Sequence, residues 1–242
     1  MSKVWERMTN CGHLRRARNL RQGKEIKLTN INKMIGSHNS MSYLPPKHWF
    51  WRMFTPFWRC QDKTIKEQID AGVRFFDIRV VWDGKLQCWQ FAHGLVQFGW
   101  KNGDPRSVGL EPTLALLETH GCLYRIVLER GSEYDEERFK SRFGFGADIW
   151  WKSHPHCISV IIKRWWRSIR SRKFDYTFKN LQLADHSFVP FRSDRPWWRQ
   201  LSWCMFCTPH LWAKRHNTVR NSWKEDKDTV HFYDFATELK SE

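Results

Sequence analysis

No apolar run in this chain approaches the roughly 18 residues that a membrane-spanning helix needs, and the mean hydropathy is −0.67. The opening Met1-Ser2-Lys3-Val4-Trp5-Glu6-Arg7 lacks the apolar stretch of a secretory signal. The expected location is therefore the cytoplasm or the surface of a membrane, with delivery by another route or release on lysis left open. No glycine-rich phosphate loop follows the first strand-like run, which weighs against a dinucleotide-binding fold. No internal repeat is visible. The seven cysteines (Cys11, Cys60, Cys88, Cys122, Cys157, Cys204 and Cys207) are odd in number and scattered, so they read as reduced thiols. Only Cys204 and Cys207 are closely spaced. With His210 and His216 they offer four zinc-type ligands, but all four fall within 13 residues beside Pro209. Familiar zinc patterns separate their ligand pairs by about a dozen residues. The cluster reads as thiols packed in a Trp-rich segment.

What is present sets a different frame. The 242 residues suit one large domain or two small ones, and they are enough for an α/β barrel of roughly 200–250 residues. With 27% charged and 41% hydrophobic residues, the chain is neither disordered nor collagen-like. Lys and Arg number 41 against 25 Asp and Glu, a net charge of +16, and there are 16 Trp. So positive a balance favours anionic partners: nucleic acid, a membrane surface or phosphorylated substrates. Trp with Arg suits a lipid–water interface, and equally suits stacking on single-stranded nucleic acid. Composition alone does not choose between them.

Residues 1–30 are basic, with Arg15, Arg16, Arg18 and Arg21, and read as a solvated lead-in to a domain spanning 31–242. From there, short apolar runs alternate with segments of helical period. Residues 33–36 form a short strand ending at Gly36. In 63–71, Ile65 and Ile69 share one helix face, and Gly72 ends the helix. Residues 73–81 (VRFFDIRVV) are a strong strand, and 86–92 form another beyond the Asp83-Gly84 turn. A helix carrying Leu114, Leu116 and Leu117 runs to Gly121, followed by a strand over 123–128, a charged helix over 133–142 and a late strand over 229–235. Between Trp150 and Trp223, Trp pairs and Arg obscure the period. Apolar strands alternating with helices predict a parallel sheet covered by helices, and at this length a distorted (β/α)8 barrel as a single domain.

The chemistry-bearing residues cluster at the strand ends. His38 and Asn39 follow the first strand, Asp77 and Arg79 lie toward the end of the next, and His93 closes the third. Glu129 follows the fourth, and Asp234 ends the last. In a parallel barrel those ends face one side, where active sites are built. Singly, each has a plain structural use: a histidine opening a loop is commonly a turn hydrogen-bonder, and Arg79 has Asp77 and Glu129 as ion-pair partners. Together, two imidazoles and a guanidinium form a kit for phosphodiester transfer. One histidine takes a proton from an attacking hydroxyl, the other gives one to the leaving oxygen, and the arginine meets the charge on phosphate.

Four segments in this order carry a resemblance: Ile35-Gly-Ser-His-Asn-Ser40, Cys60-Gln61, Glu67-Gln-Ile-Asp-Ala-Gly-Val-Arg-Phe-Phe-Asp-Ile-Arg79 and Ala92-His93-Gly94. They resemble the X region of phosphatidylinositol-specific phospholipase C, over about residues 31–130, and Tyr233-Asp234-Phe235 resembles that family's last strand. The resemblance implies a distorted barrel and attack by a neighbouring hydroxyl of the substrate, with a cyclic phosphodiester that is then open to hydrolysis. It implies His38 as general base, His93 as general acid and Asp234 as the carboxylate orienting the base. Arg79 stands where eukaryotic relatives hold calcium, and Asn39, Asp77 and Glu129 belong to the substrate-binding set. Asn39 replaces the Asp usual in bacterial members and supplies no charge to raise an imidazole pKa. Asn39, Asp77 and Glu129 also match calcium-ligand positions, but a guanidinium at Arg79 repels a cation, so the expectation is catalysis without metal or other cofactor.

Residues 158–173 (ISVIIKRWWRSIRSRK) read as a basic amphipathic helix, either lying on anionic lipid or packing on the sheet. Trp49, Phe50, Trp51, Phe54, Phe57 and Trp58 follow the His38 loop, where Pro45, Pro46 and Pro56 favour a loop whose aromatics either meet a bilayer or enter the core. The expected partners are a phospholipid or inositol phosphodiester substrate and an anionic membrane touched peripherally, with no specific nucleic acid and a monomeric chain. The alternatives are a glycerophosphodiester- or sphingomyelin-type phosphodiesterase, which needs a metal-binding carboxylate pair, and a non-catalytic module of this fold binding anionic membrane or nucleic acid.

Overall fold

The computed structural model describes residues 34–100, 108–130, 132–145, 147–149, 177–178, 181–187, 207–219 and 229–241. The basic lead-in over 1–30, the amphipathic stretch over 158–173 and Cys204 lie outside the described residues.

The fold is a mixed α/β arrangement around one sheet. Strand β1 (Met34–Ser37) pairs in parallel with β10 (Thr229–Tyr233) on one side and β2 (Phe75–Asp83) on the other. Beyond β2 lie β5 (Leu123–Leu128) and β6 (Asp148–Ile149), both parallel. Beyond β10 lies parallel β8 (Leu181–Asp185), joined to β7 (Thr177–Phe178) as an antiparallel edge. The central strands are buried on both faces, one lined by apolar residues such as Phe76, Ile78, Val80, Ile126 and Leu128 and the other carrying the charged Asp77, Arg79 and Arg125. A short pair, β9 (Thr218–Val219) with β11 (Lys240–Ser241), stands apart. Among the described residues this sheet is mixed and does not close, so the closed eight-stranded barrel expected from the sequence is not shown.

A second correction bears on the site. Strand β3 (Cys88–His93) is antiparallel to β2, with β4 (Val96–Gln97) returning on it in turn. The Asp83-Gly84 turn makes a hairpin, in which the Asp83 carboxylate accepts from the Lys85 and Leu86 amides. Asp83 faces Cys88 and Val80 faces Phe91, so β3 runs back along β2 and carries His93, two residues past Phe91, to the part of β2 that holds Asp77 and Arg79. His93 therefore comes to the site by a hairpin return, not as the end of a parallel strand.

Local signals place the helices. Helix α1 (Trp49–Arg52) and α2 (Thr55–Trp58) are single turns where a loop is expected from the prolines, with Pro56 in the first turn of α2. Helix α3 (Ile65–Asp70) opens with a capping box: the Thr64 hydroxyl accepts from the Glu67 amide, and the Glu67 carboxylate accepts from the Thr64 amide. It buries Ile65, Gln68 and Ile69. Helix α4 (Leu110–Thr119) lays Leu110, Leu114 and Leu117 on the sheet. Helix α5 (Glu133–Phe143) is bounded by a Ser132–Asp135 capping box and a left-handed Gly144. Its Phe139 packs edge-on to Trp89 of β3. Helix α6 (Pro209–His216) starts at a Thr208 cap with proline in its first turn.

Gly36 marks the tightest approach in the sheet. A Cβ built there meets the Phe232 ring and a Val230 methyl, both on β10, at 3.0 Å. Gly36→Val thus forces overpacking beside the His38 loop. The expected cost is about 1–3 kcal/mol of unfolding free energy, read as a lower urea midpoint with an unchanged slope; an unchanged midpoint contradicts this packing.

Candidate active site

The site lies where β1 and β10 stop and β2 continues. Ser37 ends β1 against Tyr233 and Phe76, so His38 and Asp234 leave neighbouring strands at the same level. The His38 amide donates to the Tyr233 carbonyl (3.0 Å) and the Ser40 amide to the Asp77 carbonyl (2.9 Å). Asn39, in a left-handed conformation at φ +43°, turns the chain between them.

Buried glutamines fix this turn. Gln61 donates to the carbonyls of His38 (3.1 Å) and Tyr233 (2.9 Å), and its own carbonyl accepts from the Ala236 amide (3.0 Å). Gln68 of α3 donates to the Ser40 carbonyl (3.0 Å) and accepts from the Ser37 hydroxyl (2.6 Å). The Ser42 hydroxyl accepts from the Cys60 and Gln61 amides. Three elements distant in sequence are thereby locked to one loop.

His38 is held at both nitrogens. Nδ1 lies 2.7 Å from Asp234 Oδ1, and Nε2 lies 2.8 Å from Arg79 Nη2. A guanidinium only donates, so Nε2 presents its lone pair and Nδ1 carries the hydrogen given to Asp234. That tautomer is the form in which Nε2 accepts a proton.

Arg79, 5% exposed, satisfies three acceptors at once: Nε donates to Asp77 Oδ2 (2.7 Å), Nη1 to Glu129 Oε1 (3.1 Å) and Nη2 to His38. Burial alone lowers its pKa, but Asp77 and Glu129 outweigh burial and raise it above the ordinary range. Asp77 is fully buried and shared: Oδ1 accepts from Arg125 Nε (2.7 Å), and Oδ2 also accepts from the Asn39 amide (3.1 Å). Burial pushes the Asp77 carboxyl up, while Arg125 and Arg79 together hold it well below the usual carboxylate range.

His93 faces His38 edge-on, with ring centres 5.9 Å apart and planes at 87°. Its Nδ1 lies 3.1 Å from the Trp58 carbonyl, an acceptor, so Nδ1 donates there and Nε2 is left for proton transfer. Burial, and then the charges of Arg79 and His38, push its pKa down to about 3.

All seven residues expected from the sequence are thus brought together. His38 joins Asp234 and Arg79 directly, Arg79 joins Asp77 and Glu129, Asn39 meets Asp77 through its backbone, and His93 stands across from His38. The Asn39 side-chain amide and Glu129 Oε2 are buried and make no hydrogen bond among the described residues. Calcium does not fit this donor set. Both Asp77 oxygens and Glu129 Oε1 are engaged by guanidinium groups, so two positive charges occupy the place a cation needs. Four contributors escaped the sequence reading: Arg125, Gln68, the structural work of Gln61, and the Trp58 carbonyl. Arg125 interrupts an apolar strand and Gln68 shares the Ile65/Ile69 helix face, which were the available signals. Of the close-spaced cysteine and histidine group, Cys204 lies outside the described residues, His210 Nε2 lies 3.6 Å from Glu238, and His216 stacks on Trp212.

Against solved structures, the chain is similar to phosphatidylinositol-specific phospholipase C from Listeria monocytogenes, with 14% identity and a TM-score of 0.47 over 85% of this chain and 89% of that one. It is also similar to two structures of phosphatidylinositol-specific phospholipase C from S. aureus, both 18% identical, with TM-scores of 0.29 and 0.30. Those matches span 62% and 63% of this chain and 42% and 43% of theirs. No family model and no curated protein matches the chain. Likeness at this distance carries no functional argument, and the chemistry has to come from the side chains themselves.

A depressed histidine pKa sets a sign for stability against pH. The unfolded chain takes up the His93 proton near pH 6.5, while the folded protein resists it down to about pH 3. This contribution is fully present above about pH 6.5 and is lost as pH falls through that window. His93→Gln removes the titrating group, so the variant's thermal midpoint should fall less than the parent's between about pH 7 and about pH 4. Equal falls in both proteins contradict the buried, neutral imidazole.

Proposed function

We propose that the chain is a phosphodiesterase of phospholipase C type, acting on phosphatidylinositol-like diesters through a cyclic phosphodiester. The observation that carries this reading is the Asp234–His38–Arg79 chain of hydrogen bonds with His93 across from it. His38 Nε2 takes the proton of the substrate's neighbouring hydroxyl, and Asp234 stabilises the imidazolium that forms. Arg79, already aimed at the same nitrogen, turns a donor to the phosphate oxygen where charge develops. His93 Nε2 gives a proton to the departing glycerol oxygen. Burial and the nearby Arg79 keep His93 neutral, so the negative phosphodiester has to offset Arg79 and raise its proton affinity. Asp77, Glu129 and Arg125 hold Arg79 in place, and Asn39 lies beside them with its amide uncommitted. The engaged carboxylates disfavour a metal-dependent glycerophosphodiester-type reaction, which needs Asp77 and Glu129 free.

The same reading places a membrane contact beside the site. On α1, α2 and the junction between them, Trp49, Phe50, Met53, Phe54 and Phe57 are exposed, while Trp58 is buried and passes its carbonyl to His93. The aromatic segment therefore divides: Trp58 enters the core, half-buried Trp51 packs against it, and the exposed side chains form an apolar surface suited to a lipid interface. Arg52 is exposed in the same segment. No helix among the described residues is long and apolar enough to cross a membrane.

Phosphorus NMR of phosphatidylinositol micelles tests the chemistry. A cyclic phosphodiester should form with EDTA present, and His38→Ala or His93→Ala should lower the rate by about 10²–10⁴-fold. Absence of turnover with that lipid and with a soluble inositol diester, calcium included, removes the enzyme reading and leaves a binding module. Sedimentation with phosphatidylinositol-containing vesicles tests the surface separately. Trp49→Ala with Phe50→Ala should weaken vesicle binding while hydrolysis of a soluble diester stays unchanged; undiminished binding places the membrane contact elsewhere.

A further inference from the structure

Cys60 is a buried nucleophile to which the proposed reaction gives no task. It is 1% exposed, and its backbone is pinned from both sides: its amide donates to Ser42 Oγ (3.0 Å) and its carbonyl accepts from the Phe235 amide (2.6 Å). The sulfur lies 3.9 Å from His93 Nδ1. Cys60, His38 and Asp234 each offer one ligand atom, and the three atoms lie within 4.8 Å of one another. They come from three separate parts of the chain, with one sulfur, one nitrogen and one oxygen donor.

That donor set suits a borderline-soft ion and not calcium or magnesium, which take oxygen ligands. Zinc bonds of about 2.0–2.3 Å in a tetrahedron put ligand atoms roughly 3.5 Å apart, so the widest pair has to close by about an ångström while the His38 Nδ1–Asp234 Oδ1 pair, now at 2.7 Å, opens to admit the ion. A thiolate and the Asp234 carboxylate together neutralise a divalent ion. We propose that His38, Cys60 and Asp234 form an inhibitory site for zinc or a similar thiophilic divalent ion, bound through His38 Nδ1. Binding sends the Cys60 thiol proton to solvent. It also moves the imidazole proton from Nδ1 to Nε2, where it meets the Arg79 donor and turns it aside. His38 then has no lone pair at Nε2 to act as a base. No oxidant or reductant is involved.

Binding stands on geometry alone, whereas inhibition rests on the reading of His38 as the base. The test therefore reads both. Cobalt(II) is titrated into the full chain, Cys60→Ala and Cys207→Ala, following the thiolate-to-cobalt charge-transfer absorption. The expected result is one equivalent bound by the parent and by Cys207→Ala, with affinity for cobalt lowered about 100-fold or more in Cys60→Ala. Zinc should raise the thermal midpoint of the parent and not that of Cys60→Ala. If Cys60→Ala does not fold, Cys60→Ser is compared at the higher metal concentrations a hydroxyl requires. No thiolate band, or one lost in Cys207→Ala and kept in Cys60→Ala, overturns the site. In the activity arm, zinc should inhibit the parent's diester cleavage at least about tenfold more strongly than the Cys60 variant's. Zinc-insensitive cleavage with cobalt bound at Cys60 overturns the inhibitory role. Metal binding without diester cleavage under any condition counts against the phosphodiesterase and leaves the metal site standing.

Discussion

The Arg79 guanidinium carries a full positive charge almost out of contact with water, and the arrangement of the site follows from how that charge is compensated. Stranded alone there it would cost several kcal/mol. Asp77 and Glu129 supply the opposite charge, and His38 supplies a lone pair. Asp77 then carries more than one partner, so Arg125 enters from β5 to share its second oxygen. Each member is buried and answered by another, which makes the network costly to break at any single point and gives the loop after β1 one geometry.

That network also explains the division of labour between two histidines in one site. Both lie near the same guanidinium, yet they meet it differently. His38 touches it with a nitrogen lone pair and has Asp234 behind, so the charge fixes a tautomer. His93 has only the Trp58 carbonyl behind its Nδ1 and no carboxylate, so burial and the same charge suppress its protonation. Substitution of Asn39 for a carboxylate leaves this asymmetry in place.

The backbone scaffold is built to hold the turn and not merely to support it. Gln61 and Gln68 spend nearly all their hydrogen-bonding capacity on carbonyls and a hydroxyl of the β1 and β10 ends. The exposed aromatic turns of α1 and α2 are anchored by Trp58, which ties them through one carbonyl to His93. Cys60 sits between these two systems, its amide bonded to Ser42 and its sulfur 3.9 Å from His93 Nδ1.

Local pattern determined much by itself. The run FFDIRVV could only be a buried strand, Thr64–Glu67 and Ser132–Asp135 fixed helix starts, and His38, Arg79, His93 and Asp234 stood out because polar groups at the ends of apolar strands need a reason. What pattern could not decide was pairing. The antiparallel return of β3 depends on hydrogen bonds across the Asp83–Gly84 turn, and alternation of side chains is the same in either direction. Barrel closure depends on which strand edges meet, and periodicity carries no information about that. The tautomer of His38 required Asp234 and Arg79 to arrive on opposite sides of one ring, with Asp234 196 positions further along the chain. Arg125, Gln61 and Gln68 were visible as polar residues in apolar settings, but their partners were not, because a buried hydrogen bond is defined by direction and distance and only the folded chain supplies those.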